Sequence, residues 1–411
     1  VTDLSRTKIT SIIDDLNKNS SKKLLTSIKI KDLSNPTYLI NNSEFKSYIG
    51  PNNNGYFSLG RSFEEQIKSK NFDKGFHIFL KIDELDINKF SFNNDQINNS
   101  SNLLSVNLLV KELNFFENIY EDQIFKLNIN NNILNASFSG KDLNGLITTD
   151  ETGFIKIEVF DTKFEFKGID IIESDESLDL SNIKLRFVGK NIQTYDDNFQ
   201  DIDFYLLRNE NITTIDNITI KSKNFNVGQF NNRDKAYLSY NKIEDLYKAR
   251  GSYEIKNVNK SFNNLIDYDL EYISTDLNIQ WISLEELKDL QGNIRFLIKG
   301  FKSDTSLPDS AFLRALKVFN LNAVFENISN ETNIGSKDLV INRAEGDFYI
   351  GQNRALLRKP IKLETSEAIM KWTGEVLKNS DDILEELNLS LEMRLKVSEN
   401  IPWYAAIFGG I

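Results

Sequence analysis

The side chains able to do acid, base or nucleophilic chemistry are few in kind. His77 is the single histidine and there is no cysteine, which leaves no histidine-based catalytic pair, multi-histidine metal site, thiolate zinc site or cysteine nucleophile. In Phe76-His-Ile-Phe-Leu80 the residues Phe76, Ile78, Leu80 and Ile82 alternate with His77, Phe79 and Lys81, so His77 reads as an ordinary strand histidine. Acids are plentiful, 60 Asp and Glu together. Two of them across a cleft would make a glycosidase pair, but they are scattered over turns and no pair stands out. The acidic stretch Glu173 to Asp179 lacks the ligand spacing of a calcium loop and reads as a solvated turn. Phosphate-binding glycine loops, GxGxxG, HExxH, GxSxG and EF-hand patterns are all missing. The expectation is a chain with no catalytic residue, no metal and no cofactor, and so not an enzyme. Two indoles stand apart, Trp281 and Trp372. They read as plugs at a sheet end or strand edge, with contact to a lipid chain as the alternative.

Charge narrows the partners. The net charge is −11 and the pI near 5.0. Phosphate neutralisation needs a basic face, so a nucleic-acid partner is not expected, and anionic bilayer surfaces would repel the chain. The 411 residues suggest two or three domains or one elongated architecture. With 40% hydrophobic residues and no 18-residue apolar run, the sequence is neither a disordered tail nor a membrane-spanning bundle. The 51 asparagines, with abundant Ile, Lys and Phe, are what an AT-rich coding sequence produces. Asn-x-Ser/Thr triplets such as Asn211-Ile-Thr213 are therefore expected by chance. Residues 1–25 are polar and charged and contain no signal peptide, while 401–411 is the most apolar stretch and stops abruptly at about half the ~20 residues a spanning helix needs. Together they lead to the expectation of a piece of a longer protein.

Period-two alternation dominates. Leu387, Leu389, Leu391, Met393, Leu395 and Val397 interleave with Asn388, Ser390, Glu392, Arg394 and Lys396, giving one apolar and one wet face. The pattern recurs at Ile155, Ile157 and Val159, at Ile183, Leu185 and Phe187, at Ile218 and Ile220, at Ile294, Phe296 and Ile298, and at Phe348 and Ile350. Such runs read as half-buried antiparallel strands joined by Asn, Asp, Ser and Gly turns. Helix candidates are few: 310–319, with weaker ones at 62–70 and 5–17. A sheet with one apolar face must bury it, and there are too few helices to cover it. The face either closes on itself as a sandwich or curls round something apolar.

Residues 267–411 carry a succession of short motifs: Trp281 with Leu290-Gln-Gly292, the strand Gly292 to Gly300, Ala315 to Leu321, Ala323-Val-Phe325, Ala344 to Ile350 with its Gly-Asp-Phe, Trp372-Thr-Gly374, Ile401-Pro402 and Gly409-Gly410. Upstream, Gly75 to Phe90 is a glycine-led strand that runs to Phe90. In their order these motifs resemble the C-terminal region of the AsmA-like superfamily, in its YhdP branch related to TamB.

That resemblance implies a mainly β fold: an elongated, curved antiparallel sheet forming a taco-like apolar groove with a few short helices. It also implies a periplasmic envelope protein of a diderm bacterium, held to the inner membrane by an N-terminal segment absent from this chain. Its groove would carry phospholipid between inner and outer membranes and so maintain outer-membrane permeability. The groove candidates are Leu387, Leu389, Leu391, Met393, Leu395 and Val397, then Ile155, Ile157 and Val159, with Phe348 and Ile350. A soft division is expected near residue 135, between 1–135 and 136–411. The reading from a different class is an extracellular or periplasmic β-sandwich or β-helix module binding carbohydrate or protein, with Trp281 and Trp372 exposed and coplanar on one face.

Overall fold

The structure, a computed structural model, describes residues 2–3, 25–32, 34–60, 62–69, 72–86, 103–115, 118–130, 133–164, 182–194, 197–231, 233–257, 269–282, 288–303, 339–365, 368–378 and 384–396. Outside them lie the helix candidates 5–17 and 310–319, the acidic turn 173–179, Val397 and the apolar end 401–411. The chain is mainly β, as expected, and divides into two compact units, Val1–Tyr195 and Asp196–Ile411.

The first unit contains β1 (Thr2–Asp3), β2 (Leu25–Lys31), β3 (Thr37–Asn41), β4 (Phe45–Ile49), β5 (Gly55–Leu59), α1 (Glu64–Ser69), β6 (Phe76–Asp86), β7 (Leu103–Phe115), β8 (Asn118–Asn130), β9 (Ile133–Ser139), β10 (Asn144–Thr149), β11 (Ile155–Lys163) and β12 (Ile183–Gln193). Each strand pairs with its sequence neighbours. Asn135, where the soft division was expected, lies inside β9 and pairs with Asn128 and Thr148.

Within the mainly β class, three pairings differ from the antiparallel expectation: β5 with β6, β6 with β7 and β11 with β12 are parallel. Alternation reports that one face is buried and says nothing of direction; connection length does. Hairpins close in a few residues, whereas a parallel return needs a dozen or more. The crossover from β5 to β6 carries α1, which realises the weak helix candidate at 62–70. Beside it Phe63 and Phe72 bury Phe79 on the sheet face that does not carry the main apolar rows.

The second unit contains β13 (Asn198–Arg208), β14 (Ile212–Ser222), β15 (Phe225–Gly228), β16 (Tyr237–Asn241), β17 (Leu246–Lys256), β18 (Asp269–Ile282), β19 (Lys288–Ser303), β20 (Leu339–Ile350), β21 (Arg354–Thr365), β22 (Ala368–Lys378) and β23 (Leu384–Leu395). Its pairings are all antiparallel among the described residues. The short β15 and β16 share one strand position between β14 and β17, and from β17 to β23 the order is an uninterrupted meander.

Every non-glycine residue with positive φ among the described residues is Asp or Asn, the types that tolerate the left-handed region best. Some serve turns. Asp32 (φ 56) is one: its carboxylate accepts the amides of Ser34 and Asn35. Others form a line of bulges across neighbouring strands. In the first unit the inward residues run Leu80, Ile82 and then Leu85 on β6, and Leu108, Val110 and then Leu113 on β7. On β11 and β12 the pairing skips from Phe160 with Lys190 to Thr162 with Ile192. The extra residues include Asp122 (φ 50), Asp161 (φ 46) and Asn191 (φ 52), and the Asn191 amide donates to the Asp161 carboxylate at 2.7 Å. Because neighbouring strands gain a residue at the same level, pairing survives while side-chain parity inverts. Leu85, Leu113, Tyr120, Thr162 and Ile192 beyond the line are consequently buried. The second unit repeats the device around Gly300 (φ 65), with Leu270, Phe301 and Ile341 buried beyond it.

Candidate functional site

Directly paired residues on neighbouring strands point to the same face, so the registers can be read as rows. In the first unit Ile28, Ile40, Ser47, Phe57, Ile78, Val106, Leu127, Ala136, Ile147, Ile157 and Phe187 form one row crossing eleven strands, β2 to β12. At a strand spacing of about 4.8 Å its ten intervals span roughly 48 Å along the sheet. Ser47 is its one polar member and its one buried member; Ile28 is 47% exposed, and the others are half-buried. A second row runs beside it through Leu59, Leu80, Leu108, Phe125, Phe138, Gly145 and Val159. Gly145 is required there. A Cβ would stand 2.2 Å from the Phe138 ring and 2.4 Å from the Glu158 carbonyl oxygen. Gly145→Ala is therefore expected to cost about 1–3 kcal/mol through overpacking, read as a lowered denaturation midpoint.

Of the expected groove residues, Ile155, Ile157 and Val159 lie on this partly open face, and Ile157 is in the row itself. Lys156 and Glu158 face the other way and form an ion pair at 2.9 Å.

The second unit has the same construction with a more closed centre. One row reads Ile255, Ile273, Ile298, Ala344, Leu363, Met370 and Met393. The next contains Phe296, Gly346, Ile361, Trp372 and Leu391, and the third Leu277, Ile294, Phe348 and Leu357. Burial is graded across the strands. Ile255, Ile273 and Leu277 are half-buried; Ile298, Phe348, Ile361, Met370 and Trp372 are buried; Leu391 and Met393 on β23 are 43% and 45% exposed. Phe348 and Ile350, expected in the groove, are at 0% and 1% exposure and belong to the packed core. Leu389, Leu391 and Met393 lie opposite Gly374, Trp372 and Met370, so they share the core's face at its margin. Leu387 and Leu395 stand on β23 opposite Val376 and Ala368.

The reverse face of the second unit is a charged ladder. Arg295 bonds Asp347 at 3.2 Å and approaches Asp276 at 3.5 Å, and Lys362 approaches Glu345 at 3.3 Å. An open cleft of about 510 Å³ lies among Asp276, Arg295, Glu345, Asp347, Lys359 and Lys362, where Pro360 and a bulge part β20 from β21. Its three acids face three bases, so the charged lining sums to zero. The Arg343 hydrogen bond at 2.6 Å, then Lys362, hold the Glu345 carboxyl below the usual carboxylate range. A depressed folded pKa contributes stability above the unfolded value, lost as pH falls through the folded one. The second unit's melting temperature is thus expected to drop as pH falls through the usual carboxylate range and below it, and Glu345→Gln to flatten part of that slope, modestly because the pair is exposed.

His77 is held in place: its Nε2 faces the Lys74 carbonyl at 3.3 Å and its Nδ1 the Ser105 hydroxyl at 2.7 Å. With a carbonyl accepting at Nε2, the neutral ring carries its proton there and Nδ1 accepts from Ser105. Neither Trp is exposed: Trp372 is at 2% and Trp281 at 8%. Among the described residues no group of three or more acids or histidines is placed to hold a metal ion, and no helix is long and apolar enough to cross a membrane.

No protein-family model, curated protein or solved structure matches the chain. What the rows missed by alternation alone have in common is a partner across the sheet. The row through Phe57, Ile78, Val106 and Leu127 is visible only once register is known, because each strand contributes a single residue to it.

Proposed function

We propose that this chain carries the acyl chains of phospholipid along its apolar sheet faces, as a periplasmic, inner-membrane-anchored envelope protein of the AsmA-like type that moves lipid towards the outer membrane. The observation that supports this most is the half-buried row from Ile28 to Phe187, apolar at ten of eleven positions. Burying each CH₂ is worth about 0.8 kcal/mol, so an acyl chain of ~16 carbons would gain on the order of 10 kcal/mol before ordering costs. A row of like residues offers successive positions of similar affinity. Sliding then needs no catalytic group. The bulge lines supply a closed margin on one side of each face.

A sandwich or β-helix binding module is less well supported. Both units run strand by strand without a second sheet among the described residues, and the buried indoles offer no coplanar platform for sugar.

The test is to purify the chain, extract it and look for phospholipid by mass spectrometry, with photo-crosslinkers placed at Ile157, Leu391 and Lys156. Lipid should co-purify, and labelling should occur at Ile157 and Leu391 and not at Lys156 on the reverse face. A lipid-free protein, or equal labelling at Ile157 and Lys156, would sink the proposal.

A further inference from the structure

The apolar face of the second unit has two margins of different chemistry. The bulge line closes one with Leu270, Phe301 and Ile341. The other is aromatic. Tyr240, Tyr247 and Trp281 stand opposite one another on β16, β17 and β18. Their rings stack at 4.5 Å and 24° between the tyrosines, then 5.5 Å and 14° on to the indole. Each is two residues along its strand from Leu238, Ala249 or Ile279, so all three share the apolar face. Trp281 is at 8% exposure, and its Nε1 is buried with no hydrogen-bond partner among the described residues. A buried donor without an acceptor is disfavoured and calls for an explanation.

Packing alone does not explain it. A phenylalanine would stack on Tyr247 equally well without carrying an N–H that must be desolvated. Indoles and phenols belong where one side of a site is apolar and the other polar, as at the headgroup level of a membrane.

We propose that the row Tyr240, Tyr247 and Trp281 receives the polar end of an acyl lipid, with the Trp281 Nε1–H donating to an ester carbonyl oxygen while the acyl chain lies along Ile279, Leu277 and Ile273. This rests on the lipid-carrying reading and adds to it which part of the lipid is recognised, and where. The Asp245 carboxylate accepts from the Tyr240 hydroxyl at 3.2 Å, putting a negative charge at the end of the row. It disfavours a ligand of net negative charge such as a fatty acid carboxylate, so a diacyl ester with a zwitterionic headgroup is the preferred ligand.

Two measurements on the full chain test this. In the first, Trp372→Phe and Trp403→Phe leave Trp281 as the sole tryptophan, its emission is excited on the red edge where tyrosine does not absorb, and phosphatidylcholine brominated at either the 6,7 or the 11,12 position of one acyl chain is added. The bromines near the ester end should quench Trp281 more strongly; stronger quenching by those near the tail overturns the placement. In the second, Trp281→Phe keeps the stack and removes the donor. It should weaken capture of palmitoyl-oleoyl phosphatidylcholine about tenfold, the loss of one hydrogen bond in a buried site, and weaken capture of oleate far less. Unchanged phosphatidylcholine capture by Trp281→Phe overturns the site and leaves the groove standing. A wild-type chain that captures neither lipid overturns both.

Discussion

A double replacement in the first unit, Leu127→Glu with Ile157→Glu, is expected to strip the chain of lipid while leaving it folded. Leu127 stands between Val106 and Ala136, and Ile157 between Ile147 and Phe187, so both carboxylates enter the middle of the long row. These positions are half-buried, and water still reaches them when no ligand is bound, so the folded chain tolerates the charge at a cost of a few degrees in melting temperature. With an acyl chain laid over them the same carboxylates lose that water, and an unpaired buried charge costs several kcal/mol. Bound phospholipid, measured by extraction and mass spectrometry, should fall by about tenfold or more. The matching control is Lys126→Glu with Lys156→Glu. Lys126 and Lys156 neighbour the same two residues but face the opposite side, and lipid content should not change. Full lipid retention in the first variant, or equal loss in both, would remove the row from the mechanism.

The logic of that pair shows what one strand at a time can reveal. Ile155, Ile157 and Val159 alternate with Lys156 and Glu158, and this local pattern already fixes which side each presents. Whether neighbours continue the face is decided by register, and register depends on turns and crossovers with weak local signals. Alternation also fails where strands bulge. Leu80, Ile82 and Leu85 all point inward, yet a strict period of two would send Leu85 outward. The charged or polar types flanking such breaks, Asp122, Asp161 and Asn191, are the ones that accept positive φ, so the asparagine-rich composition has a structural use beyond its origin. The parallel pairings had one sequence signal, the length of the connections between β5, β6 and β7. The polar margins were harder still to foresee. Trp281 was legible as a sheet-end residue, but its stack with Tyr247 and Tyr240 needs three strands brought into register.

Alternation is silent on depth as well, and here Phe348 and Leu391 part company. Both were expected to line the same apolar groove. Phe348 is at 0% exposure, its ring 6.1 Å from that of Phe296 and steeply inclined at 71°, with Ile294 and Leu357 paired to either side. Leu391 is 43% exposed on β23. Phe348→Ala should therefore cost about 3–5 kcal/mol, the usual range for a deleted core phenylalanine. At roughly 2–4 °C per kcal/mol for a unit of this size, the melting temperature should fall by about 10 °C. Leu391→Ala removes little buried area and should shift it by no more than about 2 °C. The order reverses for lipid. A contact at the open margin needs Leu391, so its alanine variant should lose crosslinking and capture, whereas Phe348 touches lipid only if the core opens. Calorimetry on both variants decides the matter. A Phe348→Ala chain that melts with the wild type would mean the centre of the second unit is not closed by its own side chains. Phe348 would then return to the groove wall where alternation alone puts it.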